Sequence, residues 1–132
     1  ENPEYLATLA VCQQHAGYFS EAAQNFTKSA QIDPLDPEIW LDFSALFTEL
    51  EEFEHAIEVI DTGLTHQPDN NSLKFRRVAY LYNQGKIKEA TSQLTDTLLA
   101  GPDPDGFKAM LEYAPNLAGD VYIADLMLRM GF

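Results

Sequence analysis

Three histidines and one cysteine are the side chains of this sequence best suited to hold a metal ion or to act as nucleophiles. No two of His15, His55 and His66 are four residues apart, the spacing that brings two imidazoles onto one helix face in zinc sites such as H-E-x-x-H. The single Cys12 can form neither an internal disulfide nor a multi-cysteine metal site, and it suits a reducing compartment. We therefore predict surface histidines on separate helices and no metal site.

Two groups of carboxylates could attract a hard cation. Four glutamates crowd residues 49–54. Asp103, Asp105 and Glu112 match the later positions of a calcium-binding EF-hand loop, but Gly101 occupies the place of its first ligand. Calcium needs about six or more converging oxygens in a loop that wraps the ion. A solvated acidic turn in the first case and a helix N-cap in the second explain these residues better.

The sequence contains none of the patterns typical of enzymes. No nucleophile elbow, phosphate-binding glycine-rich loop or catalytic dyad is present. The hydrophobic fraction of 45% and the aromatic fraction of 11% are those of a folded domain and not of a disordered chain. We therefore expect a non-catalytic protein that uses no cofactor.

The net charge of −13 is unevenly distributed along the chain. Residues 35–68 contain nine acidic and no basic side chains, whereas residues 69–102 contain five basic and three acidic ones. Nucleic acids are bound by clustered lysine and arginine, so the charge argues against a nucleic-acid partner. The simplest explanation of the acidic repeat is a solvated face that keeps the protein in solution.

No stretch approaches the roughly 20 apolar residues that span a bilayer. The first residues, 1–4, lack the basic and apolar regions of a signal peptide. We expect no membrane insertion and a cytoplasmic location. Because the chain begins abruptly at the start of a helix, a longer parent chain and a removed leader, with a periplasmic or secreted location, remain alternatives.

The sequence repeats at a constant interval. Pro34, Pro68 and Pro102 follow one another at intervals of 34 residues. We call this interval the repeat period. Between these prolines apolar residues recur at helical spacing, and the short connections require antiparallel helix pairs. The matching positions include the small residues Ala22, Ala56 and Ala90 and the large residues Phe26, Ile60 and Leu94.

The helices are predicted at about 4–16, 38–50, 54–66, 72–84 and 87–100, with a second helix capped by Ser20. Past Pro102 the period is lost, and we predict a short helix over 107–113 and a closing helix over 121–130. The closing helix is apolar on nearly every side. It therefore either plugs the end of the repeat stack or contacts another chain.

This residue pattern resembles the tetratricopeptide repeat (TPR) family, whose repeats of about 34 residues stack because one helix pair cannot bury its apolar face alone. The resemblance implies an all-α, right-handed α-solenoid of antiparallel helix pairs. It also implies one domain over residues 1–132, with repeats at about 3–36, 37–70 and 71–104 and a C-terminal cap at 105–132. In such repeats Trp40 would be almost wholly buried.

By the same resemblance, the first helix of each repeat lines a concave groove that receives a peptide or an amphipathic helix of a partner protein. The expected partner-binding residues are Val11, Leu41, Asp42, Ala45, Phe75, Arg76, Ala79 and Tyr82. Family members that hold the C-terminal carboxylates of chaperones use a clamp of lysine, asparagine and arginine. Here only Arg76 matches that clamp and Asp42 would repel the ligand, so we expect no chaperone-tail adaptor.

The third repeat departs most from the family pattern because Lys74 and Arg77 stand where core residues are usual. Its apolar stripe runs instead through Phe75, Ala79 and Tyr82. Two explanations remain open. Either the helix is rotated so that the aromatic residues lie in the core, or they are groove residues that await a partner.

The sequence therefore favours a protein-interaction module that docks a segment of another protein in its groove. One alternative is a self-associating scaffold, a homodimer formed through the C-terminal helix or the groove. A further alternative is a regulatory domain attached to an enzyme.

Overall fold

The computed structural model describes residues 2–131, which contain helices and turns but no β-strand. The all-α prediction is therefore confirmed for these residues. Contacts along the chain define two compact units, one ending at Pro68 and the other beginning at Asp69. The expectation of one domain stays a prediction.

The first unit consists of two helix pairs. Its helices are α1 (Pro3–His15), α2 (Phe19–Ile32), α3 (Pro37–Glu49) and α4 (Phe53–His66). The members of each pair pack together, and α3 also contacts both α1 and α2. The pairs are thus stacked so that α3 rests on the preceding pair.

The core of the first unit is built from the positions that repeat in the sequence. Ala10, Ala22, Phe26 and Leu46 form a fully buried cluster. The ring of Phe43 stacks on that of Phe26, with the ring centroids 5.5 Å apart. The small Ala22 allows α1 and α2 to approach closely, as the repeat pattern predicts.

Trp40 is 6% exposed, which confirms the prediction that it is buried. Its indole Nε1 donates a hydrogen bond of 2.9 Å to the carbonyl oxygen of Pro34. A Cβ atom on Gly63 would lie 2.8 Å from Trp40 Cγ, so only glycine lets α4 come this close to the indole ring. The tryptophan therefore fixes the spacing between α3 and α4.

The second unit also contains four α-helices among its described residues. They are α5 (Asn71–Asn83), α6 (Ile87–Ala100), α7 (Pro104–Tyr113) and α8 (Val121–Met130), with a short 3₁₀ helix (Pro115–Gly119) before α8. α5 packs against both α6 and α7, and the 3₁₀ helix contacts α7 and α8. The central helix of this unit is therefore α5.

Helix starts keep the repeat period further along the chain than predicted. α4 begins at Phe53, α6 at Ile87 and α8 at Val121, each one period after the one before. The prediction that the period is lost past Pro102 is therefore wrong for α8. α7 begins at Pro104, three residues earlier than predicted, because Asp103 caps it by accepting a 2.9 Å hydrogen bond from the Gly106 N–H.

Among the described α-helices, only the second helices of the first three pairs lack a side-chain cap. The caps of the other five, α1, α3, α5, α7 and α8, are Asn2, Asp36, Asn70, Asp103 and Asp120. α2, α4 and α6 have none. The predicted cap Ser20 is wrong because α2 begins at Phe19, which places Ser20 inside the first turn.

The turn within each of the first three helix pairs contains one residue in the left-handed backbone region. These residues are Gly17 with φ 89°, Glu51 with φ 59° and Gly85 with φ 82°. Glycine has no Cβ and adopts this region without strain, whereas glutamate does not. The turn of the second pair is thus the strained one.

Candidate binding surfaces

The eight residues predicted to bind a partner are divided equally between the two units. Val11, Leu41, Asp42 and Ala45 belong to the first unit, and Phe75, Arg76, Ala79 and Tyr82 belong to the second.

In the first unit the neighbouring helices α1 and α3 present a partly apolar surface, here called the first-helix face and defined by Ala7, Val11, Asp42 and Ala45. Val11 packs against the buried core cluster while remaining partly exposed. Ala45 is also partly exposed, and Asp42 is exposed. Leu41 is only 6% exposed and thus adds little open surface.

A polar contact borders the first-helix face. Gln14 Nε2 donates a 2.7 Å hydrogen bond to Glu49 Oε2, which links the C-terminal turns of α1 and α3. The face therefore combines the apolar residues Ala7, Val11 and Ala45 with the exposed Asp42, and Glu49 adds a second acidic group at this end.

In the second unit the expected apolar anchors are buried. Phe75 is 2% exposed and Ala79 is fully buried. α7 packs against α5 so closely that a Cβ on Gly106 would lie 2.7 Å from Phe75 Cε2. The idea that these two side chains offer open surface to a partner is therefore wrong in this conformation, and of the two explanations the core one holds for Phe75.

The two polar residues of that set are engaged within the second unit. Arg76 places its guanidinium carbon 3.5 Å from the centroid of the Tyr113 ring, and its Nη1 donates a 3.2 Å hydrogen bond to the Tyr80 hydroxyl. The hydroxyl of Tyr82 lies 3.5 Å from Asp120 Oδ2. Partial burial raises the pKa of Tyr82 above its usual value, and the nearby Asp120 carboxylate raises this pKa further. These contacts join α5 to the C-terminal helices.

A cleft that the sequence did not predict lies between α2 and α4 in the first unit. Its volume is about 580 Å³, and its floor consists of the α3 side chains Trp40, Phe43 and Phe47. Thr27 and Gln31 of α2 line it, as do five residues of α4, namely His55, Glu58, Val59, Thr62 and His66. We call it the α2–α4 cleft.

Aromatic contacts run along the floor of the α2–α4 cleft. The ring centroids of Phe43 and Phe47 are 5.6 Å apart, those of Phe47 and His55 5.4 Å, and those of Trp40 and His66 6.0 Å. Of these α3 aromatic residues, only Trp40 was predicted from the sequence to be buried. The one signal that could have indicated a cleft is the pair of polar histidines on the α4 face that packs on them.

The histidines do not converge on a common site. His55 and His66 share α4 and lie eleven residues apart, so the prediction of separate helices is wrong for them. All three are exposed, as predicted. Among residues 2–131, no three His, Cys, Asp or Glu side chains lie close enough together to hold a metal ion.

The last helix has a buried and an open side. Ile123 is fully buried, whereas Val121 is 85% and Leu128 80% exposed. The Tyr122 hydroxyl lies 2.9 Å from that of Thr95, which joins α8 to α6. Leu99, one turn further along α6, is 73% exposed. No helix within residues 2–131 has the length and apolar character needed to cross a bilayer.

The folded pairs, their period and their small-residue positions define the fold as tetratricopeptide-like. The type III secretion translocator chaperone SycD of Yersinia enterocolitica aligns with a TM-score of 0.70 and 21% identity, over 89% of each chain. SycD in complex with a peptide of the translocator YopD aligns with a TM-score of 0.67 and 20% identity, over 96% of this chain and 92% of that one.

A third solved structure with this fold is the first TPR domain of Spaghetti (RPAP3) bound to the HSP90 peptide SRMEEVD. It aligns with a TM-score of 0.66 and 19% identity, over 89% of this chain and 96% of that one. No protein-family model matches the sequence. Comparison with curated proteins also finds no match. The structural likenesses therefore establish the fold of this chain.

Proposed function

We propose that this protein is a non-catalytic module that binds a segment of another protein on its first-helix face. The observation that carries the proposal is the partly open apolar strip formed by Ala7, Val11 and Ala45 along two adjacent first helices. Two of the structures that share the fold contain a peptide, from YopD and from HSP90 respectively. An open apolar strip on this fold is a suitable surface for such a segment.

The charges around the first-helix face limit the kind of segment that fits. Asp42 and Glu49 are exposed there, and Arg76, the one residue that matches a carboxylate clamp, stacks on Tyr113 in the second unit. An acidic C-terminal tail would meet like charges at Asp42 and Glu49. We therefore propose an amphipathic helix or an extended apolar segment, and not an acidic tail, as the ligand.

Selection of displayed random peptides against the whole protein tests this function. Ala45→Arg places a long cation in the apolar strip and should weaken the selected peptides by about tenfold or more, because it blocks the contact surface. Ala109→Arg is the matched control, since Ala109 is exposed on α7 in the second unit. Circular dichroism verifies that both variants are folded.

Two outcomes would count against the proposal. One is that no peptide is enriched above an unrelated acidic protein. The other is that Ala45→Arg and Ala109→Arg weaken the selected peptides equally, since binding would then not involve the first-helix face.

Self-association through α8 is the second candidate function, favoured by one specific observation. Phe26, Ile60 and Leu94 are fully buried, whereas Leu128, one repeat period after Leu94, is 80% exposed. A position that is core in three helix pairs is thus open in the fourth. Together with Val121 it forms an apolar surface that a second copy could cover.

Light scattering across a concentration range tests self-association. If α8 is the interface, wild-type protein forms a dimer that Leu128→Glu dissociates. Leu35→Glu is the matched control, because Leu35 is 66% exposed in the first unit. A monomer at all concentrations, or a dimer unaffected by Leu128→Glu, would remove this candidate.

We also propose that the module works in a reducing compartment such as the cytoplasm. The support is its single Cys12, which is exposed and has no cysteine partner in the sequence. Detection of the tagged protein in the periplasmic or secreted fraction of its native cell would contradict this location.

A further inference from the structure

We infer that the α2–α4 cleft is a second binding site, and that its ligand is a short cationic segment of a partner protein with aromatic or aliphatic side chains between its lysines or arginines. The cleft lies between second helices and is lined by residues other than those of the first-helix face. It therefore goes beyond the proposed function and stands without it.

The shape of the cleft suits an extended segment. Its α4 wall runs from His55 to His66, a distance of about 16 Å at 1.5 Å per helical residue. About five residues of extended chain span that distance, since a strand rises about 3.3 Å per residue. The volume of about 580 Å³ accommodates a few large side chains over the floor.

The floor of the cleft requires apolar groups from the ligand. Phe43 and Phe47 are partly exposed to the cleft, and their rings are tilted by 36° with centroids 5.6 Å apart. Aromatic surfaces of this kind gain from contact with aromatic or aliphatic side chains that displace water. A purely polar ligand would not gain this binding free energy.

The charges around the cleft require a cationic ligand. Glu58 lines it, Glu54 is exposed one turn earlier on α4, and Glu52 lies 3.7 Å from His55 at one end. Residues 1–68 carry thirteen acidic side chains against Lys28 as their one lysine or arginine, a net charge of −12. A ligand with lysine or arginine on both sides of its apolar groups is complementary to this surface.

The test uses the acetylated and amidated peptide Lys-Phe-Lys-Leu-Lys as the probe. Trp40 is the single tryptophan of the chain and lines the cleft, so its fluorescence reports whether the cleft is occupied. We expect saturable binding that changes Trp40 emission. We also expect clearly weaker binding of Glu-Phe-Glu-Leu-Glu and of Lys-Ser-Lys-Ser-Lys, which lack the charge and the apolar groups respectively.

Two variants locate the binding site of the probe. Thr62→Arg places a cation in the wall of the cleft and should weaken the probe by about tenfold or more, because like charges then oppose each other. The matched control is Thr8→Arg, at an exposed position of α1 outside the cleft. Glu58→Gln should weaken the probe about three- to fivefold, the contribution of an exposed ion pair, and Glu4→Gln should have little effect.

The inference is overturned if Thr8→Arg weakens the probe as much as Thr62→Arg does. It is also overturned if Lys-Ser-Lys-Ser-Lys binds as well as the probe, since attraction would then depend on net charge alone. Binding measured by calorimetry without a change in Trp40 emission would place the ligand elsewhere. The proposed function fails separately, because its test depends on Ala45→Arg and not on Thr62→Arg.

Discussion

Trp40 joins three separate parts of the first unit. Its indole packs directly on Gly63, donates a hydrogen bond to Pro34 and stacks on His66. It therefore joins α3, α4 and the segment after α2. Removal of the side chain would lose packing on all of these.

We predict that Trp40→Ala lowers the free energy of unfolding by about 3–5 kcal/mol, because it leaves a cavity between α3 and α4. Urea denaturation followed by circular dichroism measures the change. Leu35→Ala, at a 66% exposed position, should stay within about 0.5 kcal/mol of wild type. A loss below about 1 kcal/mol for Trp40→Ala would mean that this residue is not part of the core.

Glu51 is the residue at which the backbone is strained. It has φ 59° in a turn position that glycine occupies in the first and third pairs. We predict that Glu51→Gly raises the free energy of unfolding by up to about 1 kcal/mol, because glycine removes the Cβ clash of the left-handed region. Gly85→Ala, with φ 82°, should lower it by about 1 kcal/mol or more. Equal effects of the two substitutions would contradict this account.

At the residue scale, the burial of positions that repeat was predictable, whereas the burial of Phe75 was not. Ala22, Ala56 and Ala90 recur once in every repeat period, and all three are fully buried as the pattern indicates. Phe75 could not be assigned, because its helical stripe suits either a core or a groove. Its burial depends on α7, whose close approach at Gly106 is a tertiary contact that no local spacing reveals.

At the element scale, α7 depends on its cap because it is only ten residues long. Asp103 accepts a hydrogen bond from the Gly106 N–H, and its other carboxylate oxygen lies 3.5 Å from Asn71 Nδ2 on α5. The cap thus starts α7 and holds it near Phe75. Short helices of this kind are marginal without such support.

We predict that Asp103→Ala costs about 1 kcal/mol of stability at α7, the usual contribution of an N-cap. Amide hydrogen exchange should accelerate at residues 107–110, about fivefold for each kcal/mol lost. Lys86→Ala is the control, because Lys86 precedes α6 without a side-chain cap. Unchanged exchange at residues 107–110 would show that α7 does not need the cap.

The helix boundaries after Pro102 were only partly predictable. The closing helix over 121–130 was predicted correctly from the sequence, because an aspartate precedes an apolar run there. That α8 begins one repeat period after α6 was not predicted, because the turn from Gly101 to Gly106 interrupts the repeated pattern. Ala124, one period after Ala90, was the available signal, but it is only partly buried here.

At the scale of the whole molecule, the charge belongs almost entirely to one unit. Residues 1–34 carry −3 and residues 35–68 carry −9, which gives −12 up to Pro68 and leaves −1 for the rest. Like charges at this density repel each other in the folded state. The first unit is therefore the part whose stability depends on ionic strength.

We predict that salt stabilises the first unit. Raising ionic strength from about 0.01 to 0.1 M shortens the screening length from about 30 to 10 Å and should raise its free energy of unfolding by on the order of 1 kcal/mol. Urea denaturation followed by Trp40 emission measures this unit alone. A variant with Glu52, Glu54 and Glu58 changed to glutamine should respond less. A midpoint that falls as salt rises would contradict the prediction.

The binding surfaces were harder to predict than the fold. The resemblance to TPR proteins indicated the first-helix face, and Val11, Asp42 and Ala45 do keep exposed surface there. The α2–α4 cleft was not predicted from the sequence, although Phe43 and Phe47 of its floor are partly exposed. Whether such a ring is covered depends on the separation of α2 and α4, which the sequence does not encode at any one position.

The distribution of caps has a consequence for the chain before it folds. Of the six helices in the first three pairs, only α1, α3 and α5 have a side-chain cap, and each of them opens a pair. A cap favours the first turn of a helix without any tertiary contact. The denatured ensemble should therefore contain transient helix in segments 3–15, 37–49 and 71–83, and little in the segments that follow them. We expect the folding of each pair to begin at its first helix.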